Sequence, residues 1–120
     1  MGIVFYSEEQ DAPVLRWLEG LPERAYAKGI VRIERLAQLG HELRRPQADY
    51  LRDGIYELRW RMGSVNYRIL YFFHLRDAVV LAHGLTKEVE VPKKEINLAL
   101  SRKAAYFEHP EKHTCKEELK

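Results

Sequence analysis

The chain is poor in several things, and each shortage excludes something. It has one cysteine, Cys115, in 120 residues, so no internal disulfide framework can staple it. No apolar run approaches the roughly 20 residues needed to span a bilayer. The first residues, Met-Gly-Ile-Val-Phe-Tyr-Ser, carry neither a charged leader region nor a long apolar segment. No secretory signal is expected there, and a cytoplasmic location is the expectation that follows. The sequence contains no Gly-rich phosphate loop, no G-x-S-x-G and no H-E-x-x-H, which removes the motif-bearing nucleotide, serine-hydrolase and zinc-protease classes. There is no internal repeat. Net charge is only +2, too weak to indicate an extended DNA groove.

What remains is the composition of one globular domain, 46% hydrophobic and 32% charged, long enough for a single core. The charge is unevenly spread. From Gly54 to Lys103 nine basic residues stand against five acidic ones, leaving +4 on that half. That bias suits a small phosphate-reading surface.

The most informative stretch is Gly54 to Lys87. Alternation and β-branched or aromatic enrichment predict three strands in an antiparallel meander. Gly63-Ser64 is a two-residue turn with glycine at the positive-φ position. Met62 then faces Val65, which sets Arg59 opposite Arg68 and Trp60 opposite Tyr67. A four-residue turn over His74 to Asp77 would set Phe73 opposite Ala78 and Arg68 opposite His83. Opposed residues share a face with Cβ atoms about 5 Å apart. The expectation is a row of Arg59, Arg68 and His83, with Glu57, Arg61, Asn66 and Lys87 on the same face. Leu70, Phe72, Val79 and Leu81 make the other end of that face apolar. Tyr56, Leu58, Trp60, Tyr67, Ile69, Tyr71, Val80 and Ala82 fall on the opposite face, which needs full cover. Two arginines placed opposite each other are destabilising, so an anion is expected between them. Neutralisation by Glu57 and solvent is the alternative. Removing either charge relieves that repulsion, so alanine at Arg59 or Arg68 is expected to keep or slightly raise stability.

Around this core, Ile3 to Tyr6 reads as a first strand whose partner cannot be derived. Ser7 to Gln10 has a capping-box pattern and Pro13 offers a second helix start. A helix follows, carrying Val14, Leu15, Trp17, Leu18 and Leu21. A longer one runs from Pro22 to Leu39, with Gly40 as its cap. Together they form a hairpin that covers the apolar sheet face. His41 to Asp53 reads as a charged connector, in which Arg44 and Arg45 could reach phosphate. A last helix begins at Pro92, with Ile96, Ala99, Leu100, Ala104 and Phe107 as apolar positions. It is expected to cover the Leu70–Phe72–Val79–Leu81 patch and leave the arginine row as an open groove. The domain is expected to span 1–107 and a polar, flexible tail 108–120. His109, His113 and Cys115 have metal-like spacing in that tail, but a chance arrangement is the better reading and no metal is expected. Trp60, Tyr67 and Tyr71 read as core rather than base-stacking platforms, and Tyr106 as packing.

Gly54-Ile-Tyr-Glu-Leu-Arg59, Tyr67-Arg-Ile-Leu-Tyr-Phe72, His83-Gly-Leu-Thr-Lys87 and the helix from Pro92 to Arg102 resemble, in this order, the phage-derived Gp49-like, HigB-type branch of the RelE/ParE toxins. The resemblance implies an α+β RelE-like fold and the toxin of a type II toxin–antitoxin module. Its partners would be a cognate antitoxin, a small helix-turn-helix protein, together with mRNA and the ribosome. RelE-like members cleave mRNA on the translating ribosome without a metal or other cofactor. ParE-like members inhibit DNA gyrase, and a catalytically silent antitoxin-binding module is a third reading. Carried over, Arg59 and Arg68 match basic strand positions and Lys87 the basic position after the last strand. The chain departs from the pattern at Glu57, where RelE-type enzymes have Lys, at Ile96, where they have Tyr, and at Glu88, where HigB-like chains often have Lys.

Metal-free cleavage needs a base for the 2′-hydroxyl, an acid for the leaving 5′-oxygen and cations for the phosphorane. Arg59 and Arg68 stay protonated and suit phosphate oxygens. His83 titrates near neutrality, Lys87 beside two arginines could lose its proton more easily, and Glu57 is a third candidate base. Arg61, Arg44, Arg45, Lys93 and Lys94 are the further candidates for RNA contact.

Overall fold

A computed structural model describes residues 1–86 and 90–117. Lys87 and Glu88 lie outside the described residues. In chain order the elements are β1 (Gly2–Tyr6), α1 (Pro13–Glu19), α2 (Glu23–Leu39), β2 (Ala48–Arg52), β3 (Ile55–Met62), β4 (Val65–His74), β5 (Ala78–Thr86), α3 (Lys93–Glu108) and β6 (Thr114–Cys115). This is a mixed α+β architecture. Its described strands form one sheet in the order β2-β3-β4-β5-β1-β6, larger than the three-stranded meander expected. No described helix is long and apolar enough to cross a membrane.

The additions lie at both edges. β1 pairs parallel with β5, Val4 facing Val80, a long-range contact that no local pattern encodes. The expected charged connector contains β2, which pairs antiparallel with β3 and sets Asp49 opposite Glu57. Within the stretch 108–120 expected to be flexible, Pro110–Lys112 form a short 3-10 turn and Thr114–Cys115 form β6 against β1. His113 stacks on Tyr6 at 5.0 Å, while His109 lies 3.6 Å from Glu111. Among the described residues no cluster of three or more His, Cys, Asp or Glu could hold a metal. At the start of the chain, Pro13 rather than the Ser7 capping box begins α1. Glu8 and Asp11 bridge a tight turn instead, with Glu9 and Gln10 at positive φ.

The first hairpin has the expected register, Met62 facing Val65, Arg59 facing Arg68 and Trp60 facing Tyr67. The second does not. Leu75 takes a left-handed φ of 58°, so three residues close the turn and His74 pairs with Ala78. Farther along, Tyr71 faces Leu81 but Leu70 faces His83, leaving Ala82 as the extra residue of a bulge. A one-residue slip inverts the faces of a strand. Val79 and Leu81 therefore join the core under α1 and α2, while Val80 and Ala82 lie under α3. This is the reverse of the expectation for these four residues.

The hairpin-covered face is an aromatic layer. Trp60 stacks on Tyr67 at 5.7 Å, Trp17 meets both rings, and Tyr56 stacks on Tyr71 at 5.4 Å. Aromatic pairs contribute about 0.5–1.5 kcal/mol each beyond area burial. The Trp60 indole N–H donates to the Ala25 carbonyl at 3.0 Å, which satisfies its polar end. Gly29 lets α2 lie close to this ring, since a Cβ there would stand 2.6 Å from a Trp60 ring carbon. The α3 face holds Val4, Ile55, Leu70, Phe72 and Val80 beneath Ile96, Ala99 and Tyr106. Tyr106 donates or accepts at His74 Nδ1, 3.1 Å away, and is core as expected. Ala104 and Phe107, expected on the apolar stripe, are exposed.

Candidate active site

The α3 face becomes ionic where β3 and β4 run past the end of the helix. Arg59 and Arg68 stand opposite each other, and Glu57 is one alternation back on the strand of Arg59. The Glu57 carboxylate is the only buried charged group among the described residues, 2% exposed. Arg59 Nη1 donates to its Oε1 at 2.8 Å and Arg68 Nη1 to its Oε2 at 3.0 Å. The two like charges are thus bridged by one carboxylate, the neutralising alternative to an anion. Removing one arginine uncovers a buried carboxylate instead of relieving a like-charge pair. The expectation that either alanine variant keeps or raises stability is therefore reversed.

The bridge also fixes the guanidiniums. Arg59 Nε donates to the Pro46 carbonyl at 2.8 Å, and the Arg59 backbone N–H to the Gln47 carbonyl at 2.9 Å. The 44–47 turn thereby anchors one fork from two sides. Arg68 Nε is buried with no hydrogen-bond partner among the described residues. Its side chain is 12% exposed, against 32% for Arg59. The cost of a buried N–H without a partner is about 1–3 kcal/mol, an unmet demand for an acceptor at this point.

An open cavity of about 340 Å³ lies over the pair, lined by Arg45, Asp49, Glu57, Arg59, Arg68 and Glu90 among others. Arg45 and Asp49 form a salt bridge at 2.7 Å. This hydrogen bond holds the Asp49 carboxyl below its ordinary range, against a smaller opposing effect of burial. Asp49 and Glu90 were not singled out by sequence reasoning. The signal for Asp49 would have been recognition of β2 as a strand, since its pairing brings Asp49 beside Glu57.

The other sequence candidates scatter. His83 is displaced from the arginine row, because the three-residue turn and the bulge each shift the register by one, setting Leu85 opposite Arg68 and His83 opposite Leu70. Its Nε2 lies 2.7 Å from Glu95 Oε2, and Nδ1 lies 3.5 Å from Arg102 Nη1. It lines a different cleft with Trp17, Gly84 and Arg102, where burial pulls the Arg102 guanidinium below its ordinary pKa. Arg44 turns back to the carbonyls of His41 and Leu43 and borders a cavity on the hairpin side with Tyr50 and Tyr56. Arg61 is exposed, its Nε donating to the Gly63 carbonyl at 2.7 Å. Lys93 and Lys94 are exposed in the first turn of α3. Lys87 falls outside the described residues. Ile96 is buried in the α3 core, so the position aligned with a RelE-type tyrosine serves packing.

Chemically, the cavity offers two guanidinium forks held by Glu57 and a third, exposed one held by Asp49. Beside them are three carboxylates that can accept a proton. Such an arrangement could accept a phosphate oxygen and place a base near it. A family model described as phage-derived protein Gp49-like (DUF891) matches residues 16–104, from within α1 to within α3. No curated protein matches the chain.

Proposed function

The chain belongs to the phage-derived Gp49-like family, a RelE-like, toxin-like branch, and from this we propose that it is the toxin of a type II toxin–antitoxin pair. It cleaves mRNA on the translating ribosome as a metal-independent endoribonuclease of RelE-like, HigB-type fold. The supporting observation is the Arg59–Glu57–Arg68 bridge at the floor of an open cavity.

In this reading Arg59 and Arg68 hold the scissile phosphate and stabilise the phosphorane, with Arg68 Nε finding the acceptor it lacks. Glu57 is a positioning residue that keeps both forks adjacent. A proton from the 2′-hydroxyl passes to a carboxylate at the cavity, with Asp49 and Glu90 the more exposed choices. His83, hydrogen-bonded to Glu95, is the remaining candidate if the RNA extends toward the end of α3. Lys87, next in sequence after Thr86, is the basic position carried over from the family resemblance and a further candidate base. A cognate antitoxin would occupy the protein before activation.

A second reading, a silent antitoxin-binding module, draws support from Glu57, whose carboxylate already fills the place an anion would take. Induced expression decides between them. Growth arrest with new 5′ ends inside translated messages is the expected result. Arrest with intact messages and accumulated gyrase cleavage complexes would instead make the protein ParE-like. No arrest at all would favour the silent module. Cleavage should persist after chelation by EDTA, with ribosome integrity checked separately at sufficient magnesium.

A further inference from the structure

A second, purely basic cleft adjoins the arginine cavity. It measures about 260 Å³ and lies between α2 and the ends of β3 and β4. Lys28 and Arg32, one turn apart on α2, face Arg59 and Arg61 of β3 across it, with Gln47 at its side. None of the described lining residues is acidic. Lys28 Nζ donates to the Arg61 carbonyl at 3.0 Å and Arg61 Nε to the Gly63 carbonyl at 2.7 Å. Both therefore spend hydrogen bonds on neutral acceptors. Among the described residues Lys28, Arg32 and Arg61 form no salt bridge. Two buried polar atoms at the cleft, Arg32 Nε and Gln47 Oε1, have no hydrogen-bond partner among the described residues.

Three cations that form no salt bridge among the described residues, gathered from two elements, raise the local potential. A buried guanidinium N–H without an acceptor adds a specific demand for one. Arg59 walls both this cleft and the arginine cavity, so an anionic chain lying in one runs directly into the other. We propose that the Lys28–Arg32–Arg61 cleft binds the phosphodiester backbone of single-stranded RNA, guiding the strand that flanks the scissile phosphate. The direction of the strand, into the arginine cavity, rests on the endoribonuclease reading; the binding itself does not. The cleft reads charge rather than sequence, because phosphate contacts position a strand without identifying its bases.

The test is binding, measured apart from cleavage. The probe is a short fluorescein-labelled single-stranded RNA with 2′-O-methyl sugars, which cannot be cut, followed by anisotropy over a range of salt concentrations. In the triple variant Lys28→Gln, Arg32→Gln, Arg61→Gln, the slope of log affinity against log salt should shrink by about 2, at about 0.7 per lost phosphate contact on a single strand. The charge-retaining variant Lys28→Arg, Arg32→Lys, Arg61→Lys should keep the wild-type slope, which guards against misfolding of the first. An unchanged slope in the neutral variant overturns the proposal, as does a wild-type protein that binds no RNA. So does a neutral variant that binds RNA normally but loses a co-expressed acidic antitoxin, because the cleft is then a protein-docking surface. Intact wild-type binding with the expected slope change but no cleavage in any assay would sink the endoribonuclease reading and leave the cleft standing. Cleavage with an unchanged slope would do the opposite.

Discussion

The two faces of the sheet solve the same burial problem differently. Under α1 and α2 the face is apolar from end to end, and the Trp60 indole N–H finds its partner in the Ala25 carbonyl. Under α3 the face is apolar for only part of its length. Past the start of the helix it buries a carboxylate between two arginines and leaves Arg68 Nε without an acceptor. A fold built only for stability has no need of the second arrangement, because a buried ion pair rarely outperforms apolar packing of the same volume. The difference sets an ionic, cavity-lined end of the α3 face against a hairpin-covered face that is apolar along the sheet.

That contrast can be broken first on the apolar side. Trp60→Ala removes a ring that meets Trp17, Tyr67 and the Gly29 backbone. It should cost about 4 kcal/mol, read from the urea midpoint, with little dependence on salt. Glu57→Ala attacks the other face and should cost about 3 kcal/mol, because two adjacent guanidiniums lose their shared counter-charge. This loss should shrink as salt is raised, since the arginines left behind are partly exposed and screened. A salt-independent loss would mean that Glu57 acts by packing alone. Gly29→Ala should cost about 2 kcal/mol by pressing on Trp60, and its near-UV circular dichroism should change while RNA binding does not.

The smallest effect separates exposed from buried ion pairs. Asp49 is held below its ordinary pKa by Arg45. The sign follows directly: its contribution is fully present above the unfolded value of about 3.9 and is lost as pH falls through the lower folded value. Asp49→Asn should therefore be slightly less stable than wild type near neutrality. The two should converge on acidification below about pH 4. Arg45 is three-quarters exposed, so the difference should be small and should fade in salt.

The legible parts were those set by neighbours in sequence. Gly63-Ser64 dictates its own turn type, and from it the opposition of Arg59 to Arg68 follows without any tertiary information. The helical hairpin, the three central strands and the last helix follow from periodicity. The second hairpin was misread because Leu75 enters a conformation usually left to glycine, and because nothing local marks Ala82 as a bulge. β2 was hidden by its edge position, where Ala-Asp-Tyr-Leu-Arg alternates against solvent and resembles a polar loop. β1 could be recognised as a strand but not paired, since its partner lies more than seventy residues away. At the site, residue types revealed the arginines but not the depth of Glu57 between them. Lys28 and Arg32 were not singled out in the sequence, because only tertiary packing sets them across from Arg61.

The most direct test of the phosphate-binding role compares rate with stability for Arg59→Ala. Arg59 is the more exposed of the pair and the one shared by both clefts. Single-turnover cleavage of a translated message on purified ribosomes should be measured and corrected for the folded fraction. The rate should fall roughly a hundredfold, about 3 kcal/mol of transition-state stabilisation. Arg59→Lys should recover only part of it, because an ammonium cannot reproduce the fork. A folded Arg59→Ala protein that cleaves as fast as wild type, while losing stability, would contradict the assignment and leave the Arg59–Glu57–Arg68 bridge as a structural ion-pair network.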